Sequence, residues 1–284
     1  MNLNNQKFFR LIYFIIFFIS GISIFLFGFN FISTFLTNNS TVYRILLTVF
    51  FLVLTIITYL KEKLKKYRQV SFSFFIASFV TLLNWVIRDL PVKFLYEYVA
   101  LTEAQWMLDK LSQFIAIGIP ILLLALFYKD RLSALYIQKG KPKLWIIIGL
   151  STFIFFAASG LLLSLQKNSA EKIFAILPWL FVFSVLNALM EELWFRGLFL
   201  KKFEPFLGIH LSIFLTSLIF SIPHFFARYI SGIGMSFMFF ALVFSLGMAS
   251  GYIIYKTQSI WGAVIFHAGY DLFYALAFGF APTN

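Results

Sequence analysis

Long apolar stretches, joined by short polar connections, occupy most of this 284-residue chain. A helix needs about 20 apolar residues to cross a hydrocarbon core roughly 30 Å thick. Candidate spans run over roughly 8–36, 42–60, 70–88, 111–128, 144–165, 173–200, 209–227, 235–255 and 259–280. The fourth is short and carries Pro120, so eight spans stand beside nine as the alternative. The stretches are continuous, without the alternation of lumen-polar and lipid-apolar residues that marks a membrane barrel. The fold class they predict is all-α: a polytopic transmembrane helical bundle of eight or nine spans.

Composition agrees. Hydrophobic residues make up 61% of the chain and charged residues 12%, against about a quarter charged in a soluble domain. A net charge of +12 raises the question of nucleic acid, but the basic residues sit in short loops between apolar stretches, where they set topology. No nucleic-acid partner is expected; the partners are the lipid bilayer and a substrate. With the N-terminus inside, the inner segments hold sixteen of the 23 basic residues: Lys7, Arg10, Lys61, Lys63, Lys65, Lys66, Arg68, Lys129, Arg131, Lys139, Lys141, Lys143, Arg196, Lys201, Lys202 and Lys256. The outer segments hold Arg44, Arg88, Lys93, Lys110, Lys167, Lys172 and Arg228. A multi-pass integral membrane protein with a cytoplasmic N-terminus follows, in the cell membrane if the host is bacterial. The first apolar run is too long for a signal-peptide core and reads as an uncleaved span. Cysteine is absent, which excludes disulfides, thiol catalysis and Cys-based metal sites.

A change in character near Gln166 to Glu171 divides the chain. Residues 1–170 supply plain N-terminal spans, and 171–284 carry polar and small residues within the spans. The longest polar connection, Asp89 to Ser112, places Thr102, Glu103, Trp106, Met107 and Leu111 at helical spacing and reads as an amphipathic helix at the outer interface. Gly247 and Gly251 form a G-x-x-x-G, a pattern that lets helix backbones approach; its reading is packing.

The chemistry concentrates in Met190-Glu191-Glu192-Leu193-Trp194-Phe195-Arg196. A charge at the bilayer centre costs roughly 2.5–3.5 kcal/mol on insertion scales, and such groups face a bundle interior or a wet cavity. Two later spans carry His224, and His267 with Asp271. Leu207-Gly208 marks the turn between the sixth and seventh spans, and Glu191 and His224 lie about equally far from it. In an antiparallel hairpin they share a depth; counted from Lys201 and Lys202, Glu191 is roughly 15 Å in, at 1.5 Å per residue. Asn187, Glu191 and Trp194 share one helix face, and Glu192 and Arg196 stand at i, i+4 as a structural pair that leaves Glu191 free to act. His267 and Asp271 also stand at i, i+4. Pro223 can kink the helix before His224. The bland readings are an ion network at Glu191–Arg196, a satisfied core histidine at 224 and a helix-internal pair at 267 and 271. His210 reads as interfacial.

Three helices offering an acid and two imidazoles at one depth suit amide hydrolysis. A carboxylate can act as general base, an imidazole can pass a proton through a shared water, and a second imidazole can steady an oxyanion. The zinc-protease pattern H-E-x-x-H is missing, as are G-x-G-D and G-x-S-G.

In their order, Glu191-Glu192 with Arg196, Phe220 with His224, and His267 with Asp271 resemble the motifs of the CAAX-protease and bacteriocin-processing (CPBP) intramembrane proteases. Gly197, Gly247 to Gly251, and Lys256-Thr257-Gln258-Ser259-Ile260-Trp261 add to the likeness, which covers about residues 171–275. The resemblance implies an intramembrane endopeptidase acting on a peptide or membrane-associated protein, with bacteriocin processing or self-immunity among the family's roles. It implies Glu191 as activator of water, His224 as its assistant, and His267 with residue 271 as oxyanion binders; Glu192, Arg196 and Asn187 would support them. Where the family often has Asn, this chain has Asp271, and an ionised Asp has no hydrogen to donate; it must be protonated, orient His267 or bind a metal. A glutamate mechanism requires no cofactor. The alternative is a metalloprotease, with Zn2+ held by Glu191, His224, His267 and Asp271. From other classes come a non-catalytic membrane immunity or scaffold protein that binds a peptide in the same pocket, and a transporter with a midplane ion site, weakened by the lack of repeats.

Overall fold

The computed structural model describes residues 3–28, 40–87, 90–129, 131–227 and 232–279. Arg88, Asp89, Arg228 and the far end of the first expected span lie outside the described residues. Among those described there are helices and turns and no strand. This is the outcome that lipid demands, since a helix satisfies its own backbone groups without water.

Among the described residues nine helical runs follow one another. They are α1 (Leu3–Ile22) with a π turn (Ser23–Phe27); α2 (Ser40–Leu60); α3 (Arg68–Ile87); α4 (Thr102–Gln113) joined through a π turn (Phe114–Gly118) to α5 (Ile119–Leu124); and α6 (Pro142–Leu165). Then come α7 (Ala170–Glu191), joined through a π turn (Glu192–Gly197) to α8 (Leu198–Leu207); α9 (Ile209–Phe225); α10 (Ile233–Thr257); and α11 (Trp261–Phe278). Among the described residues, seven runs are long and apolar enough to cross a membrane. At 17 residues α9 is shorter, and α11, which carries His267 and Asp271, is not among the seven. Large apolar side chains such as Leu46, Ile147 and Phe155 face outward, as a lipid-facing surface requires. The chain is a multi-pass integral membrane protein.

The connections assigned to one face meet there. Tyr13 and Tyr67 share a hydrogen bond of 3.0 Å, and Phe206 stacks on Tyr67. Ile260 N–H donates to the Tyr136 carbonyl at 2.9 Å and Lys141 N–H to that of Thr257 at 2.8 Å. On the opposite face Lys167 Nζ donates to the Ala277 carbonyl at 3.1 Å.

Two expectations need correction. The amphipathic segment is not a separate interfacial helix. Thr102–Phe127 is one helical run of 26 residues, so its polar half is the first part of the fourth span and packs on α7. The charge count also included side chains that are not in loops. Arg44, Arg196 and Lys202 are buried. Lys202 Nζ donates to the carbonyls of Ala134 and Gly197, and the helical run continues past it to Leu207. A depth measured from Lys202 thus starts from a residue inside the protein, because neutral carbonyls satisfy its ammonium where headgroups were expected to.

Aromatic packing fixes α7 and α8 against the first three helices. Phe17 stacks on Phe203 at 4.6 Å between centroids, and Phe25 meets Phe195 at 4.3 Å. Helix α11 lies on α6 and α7. A Cβ at Gly269 would stand 2.7 Å from Phe153 Cα, so only glycine permits this approach, between the two polar residues of α11. The turn expected at Leu207-Gly208 is present; Gly208 takes φ 77° there, where other residues are strained.

Candidate active site

Glu191 is the last residue of α7, and Glu192 opens the π turn. Single π turns inserted in α-helices are frequent at functional sites. Here the turn Glu192–Gly197 is wholly buried. Glu192 and Arg196 pair across it, Oε1 to Nη1 at 3.2 Å, and neither is exposed. The expected pair forms, but it does more than neutralise charge. The same Glu192 Oε1 lies 2.8 Å from His267 Nδ1. A carboxylate oxygen only accepts, so Nδ1–H is the donor and Nε2 is left for the cavity.

His267 Nε2 stands 3.6 Å from Glu191 Oε2 and 3.5 Å from Asp271 Oδ1. Those spacings are wider than a direct hydrogen bond and suit a shared small ligand such as water. Asp271 is held from the other side, with Asn187 Nδ2 donating to its Oδ2 at 2.9 Å. The Asn187–Asp271 link joins α7 to α11 and was not among the expected contacts, although both residues were singled out.

His224 is the penultimate residue of α9. Its Nδ1 is 2.7 Å from the Phe220 carbonyl, which fixes Nδ1 as the donor and leaves Nε2 as the free ring nitrogen. Pro223 sits near this helix end rather than at a mid-helix kink. Phe220 links the site together: its ring is 4.9 Å from His224 and 5.9 Å from His267, and the Arg196 guanidinium lies 4.3 Å from its centroid. That is the physical content of the F-x-x-x-H spacing. Gly247 supplies the room: a Cβ there would meet Arg196 Nη2 at 2.5 Å. The G-x-x-x-G is packing at Gly251, against Ile213, and a berth for the arginine at Gly247.

All these groups converge. Asn187, Glu191, Trp194, His224, His267 and Asp271 line one cavity of about 640 Å3, within the roughly 300–1,000 Å3 of ligand sites. Glu191 and Asp271 side chains are each 13% exposed within it, while His267 is at 1%. The cavity also takes Arg44, Asn84 and Lys110 from the N-terminal spans. Sequence reading passed over these three. The signal was present, since each is a polar residue within or beside an apolar run.

Among the described residues no group of three His, Cys, Asp or Glu has an arrangement that holds a metal ion. His267 donates Nδ1–H to Glu192 and His224 donates Nδ1–H to a carbonyl, which leaves Nε2 of each ring as the nitrogen available to the cavity.

Fold and site define a polytopic helical membrane protein with an acid and two imidazoles enclosed in its bundle. Residues 173–273 match the family model of the type II CAAX prenyl endopeptidase Rce1-like proteins. The match covers about a third of the chain, includes Asn187, Glu191, Glu192, Arg196, His224, His267 and Asp271, and bears out the resemblance drawn from the motifs. It supports an intramembrane endopeptidase. No curated protein and no solved structure matches the chain.

Proposed function

We propose that the protein hydrolyses a peptide bond of a peptide or membrane-associated protein within this cavity, by a glutamate-dependent, metal-free mechanism. Glu191 takes a proton from a water held between its carboxylate and the cavity. His224, with Nε2 free, accepts that proton and returns it to the leaving amine. His267, as the imidazolium with Nδ1–H given to Glu192, donates its Nε2–H to the developing oxyanion. Asp271, steadied by Asn187, orients the site and supplies a second hydrogen bond when protonated. The product of a first hydrolytic event is a new carboxyl terminus and a free amine, and no covalent enzyme intermediate is needed.

The observation that carries this reading is the meeting of Glu191, His224, His267 and Asp271 at one cavity from three helices. Enclosure favours it, since polar groups act more strongly away from bulk water. Substrates of the CAAX type, or peptides processed in bacteriocin maturation or self-immunity, are compatible with the matched segment. We place the N-terminus in the cytoplasm on the charge bias of the loops.

The test is cleavage of a peptide panel by purified protein in proteoliposomes. Wild type cleaves, and His224→Ala and Glu191→Gln do not. The scaffold or immunity reading is favoured instead if both variants keep full biological activity.

A further inference from the structure

The cavity has a second polar end, formed by α2 and α3. Arg44 is 2% exposed there. Its Nε donates to the Gly28 carbonyl at 2.6 Å and Nη1 to that of Ser40 at 2.9 Å, and its guanidinium lies 4.0 Å over the Trp85 ring. All three partners are neutral. No carboxylate pairs with Arg44 among the described residues. Arg196 shows the contrast: equally buried, it is matched by Glu192. Two donor groups of the five-donor guanidinium fork are engaged, so donors remain.

Asn84 lines the same cavity and is 6% exposed, and its Oδ1 has no partner. A buried amide oxygen without a donor is unusual in a native interior. Among the described residues, then, a cation lacking an anion and an acceptor lacking a donor face one space. The other end of that space carries the carboxylates of Glu191 and Asp271.

We infer that Arg44 and Asn84 form a subsite for a carboxylate-bearing end of the peptide substrate. The Arg44 fork takes the carboxylate, and Asn84 Oδ1 accepts a peptide N–H. The carboxylates at the catalytic end repel the same group, so the polarity of the cavity fixes which way the peptide lies. The matching carboxylate is either the chain terminus or an acidic side chain. This inference rests on the endopeptidase reading for the substrate's being a peptide, and concerns how that peptide is held.

The test compares matched peptides: one free at its C-terminus, one amidated there, and one with its acidic side chains changed to amides. KM and kcat are measured in proteoliposomes, and binding of each labelled peptide is measured separately on Glu191→Gln protein, which does not require turnover. A carboxylate hydrogen-bonded by a buried guanidinium should lower KM by about tenfold or more relative to its amide. Loss of the preference on amidation identifies the terminus as the source; loss on side-chain replacement identifies an acidic residue. In Arg44→Gln the acid-to-amide ratio falls to about one, and Arg44→Lys keeps part of it. Asn84→Leu weakens acid and amide peptides alike. An unchanged ratio in Arg44→Gln, or no preference in wild type, overturns the subsite. If Arg44→Gln does not fold, a ratio in Arg44→Lys equal to that of wild type overturns it. If no peptide is cleaved but Glu191→Gln protein binds with a preference that Arg44→Gln removes, the subsite stands and the endopeptidase reading falls.

Discussion

Glu192 Oε1 holds His267 Nδ1 at 2.8 Å while also pairing with Arg196 at 3.2 Å. One buried oxygen thus fixes the orientation of the imidazole and neutralises the guanidinium that stacks on Phe220. The first carboxylate of the Glu-Glu pair faces the cavity, and the second organises what surrounds it.

Breaking the Glu192 link should be costly in two ways. Glu192→Leu leaves a buried, unpaired Arg196, and loss of one partner of a buried pair costs about 3–5 kcal/mol. Thermal unfolding in detergent reads this loss. Glu192→Gln keeps an acceptor for His267 and should be less destabilised than Glu192→Leu; equal stability of both variants with wild type would count against the network.

At position 271, Asp271→Asn should retain cleavage within about tenfold of wild type, since an amide can still accept from Asn187 and donates to an oxyanion in its own right. Asp271→Leu lacks both functions and should lose roughly 100- to 1,000-fold in kcat. Steady-state kinetics on one peptide separates the two, and an active Asp271→Leu would remove residue 271 from the mechanism.

Gly247→Ala puts a methyl carbon 2.5 Å from Arg196 Nη2. Overpacking of this kind costs about 1–3 kcal/mol, read as a lowered unfolding midpoint. A midpoint equal to that of wild type would mean that Arg196 shifts without consequence.

Chelation tests the metal-free reading. Dialysis against a strong chelator, followed by elemental analysis, should leave the rate of peptide cleavage unchanged. A rate that falls on chelation and returns on adding Zn2+ would replace this mechanism with a metal-dependent one.

Much of this architecture was legible in the sequence because hydrocarbon imposes a simple rule on long apolar runs, and because charges within such runs are conspicuous. Glu191, His224, His267 and Asp271 stood out for that reason, and the i, i+4 spacing of Glu192 and Arg196 correctly implied their pairing. The π turn at Glu192–Gly197 was not legible, because a one-residue change in helix phase leaves no compositional mark. Nor was the second role of Glu192, as acceptor for His267, which depends on a contact with α11 spanning 75 positions. The N-terminal spans were read as plain because Arg44 looked like a loop charge; tertiary burial beside Trp85 made it part of the cavity. The amphipathic stretch at Thr102 was correctly helical, but whether its polar face meets headgroups or a cavity depends on α7, which lies far along the chain.

The most direct measurement is the turnover of a cleavable peptide by Glu191→Gln beside wild type, with peptide affinity measured on the same preparations. A general base contributes roughly 100- to 10,000-fold, so kcat should fall by at least that lower figure while affinity stays close to wild type. Turnover retained at the wild-type rate by a folded Glu191→Gln protein would contradict the assignment of Glu191 as the group that activates water.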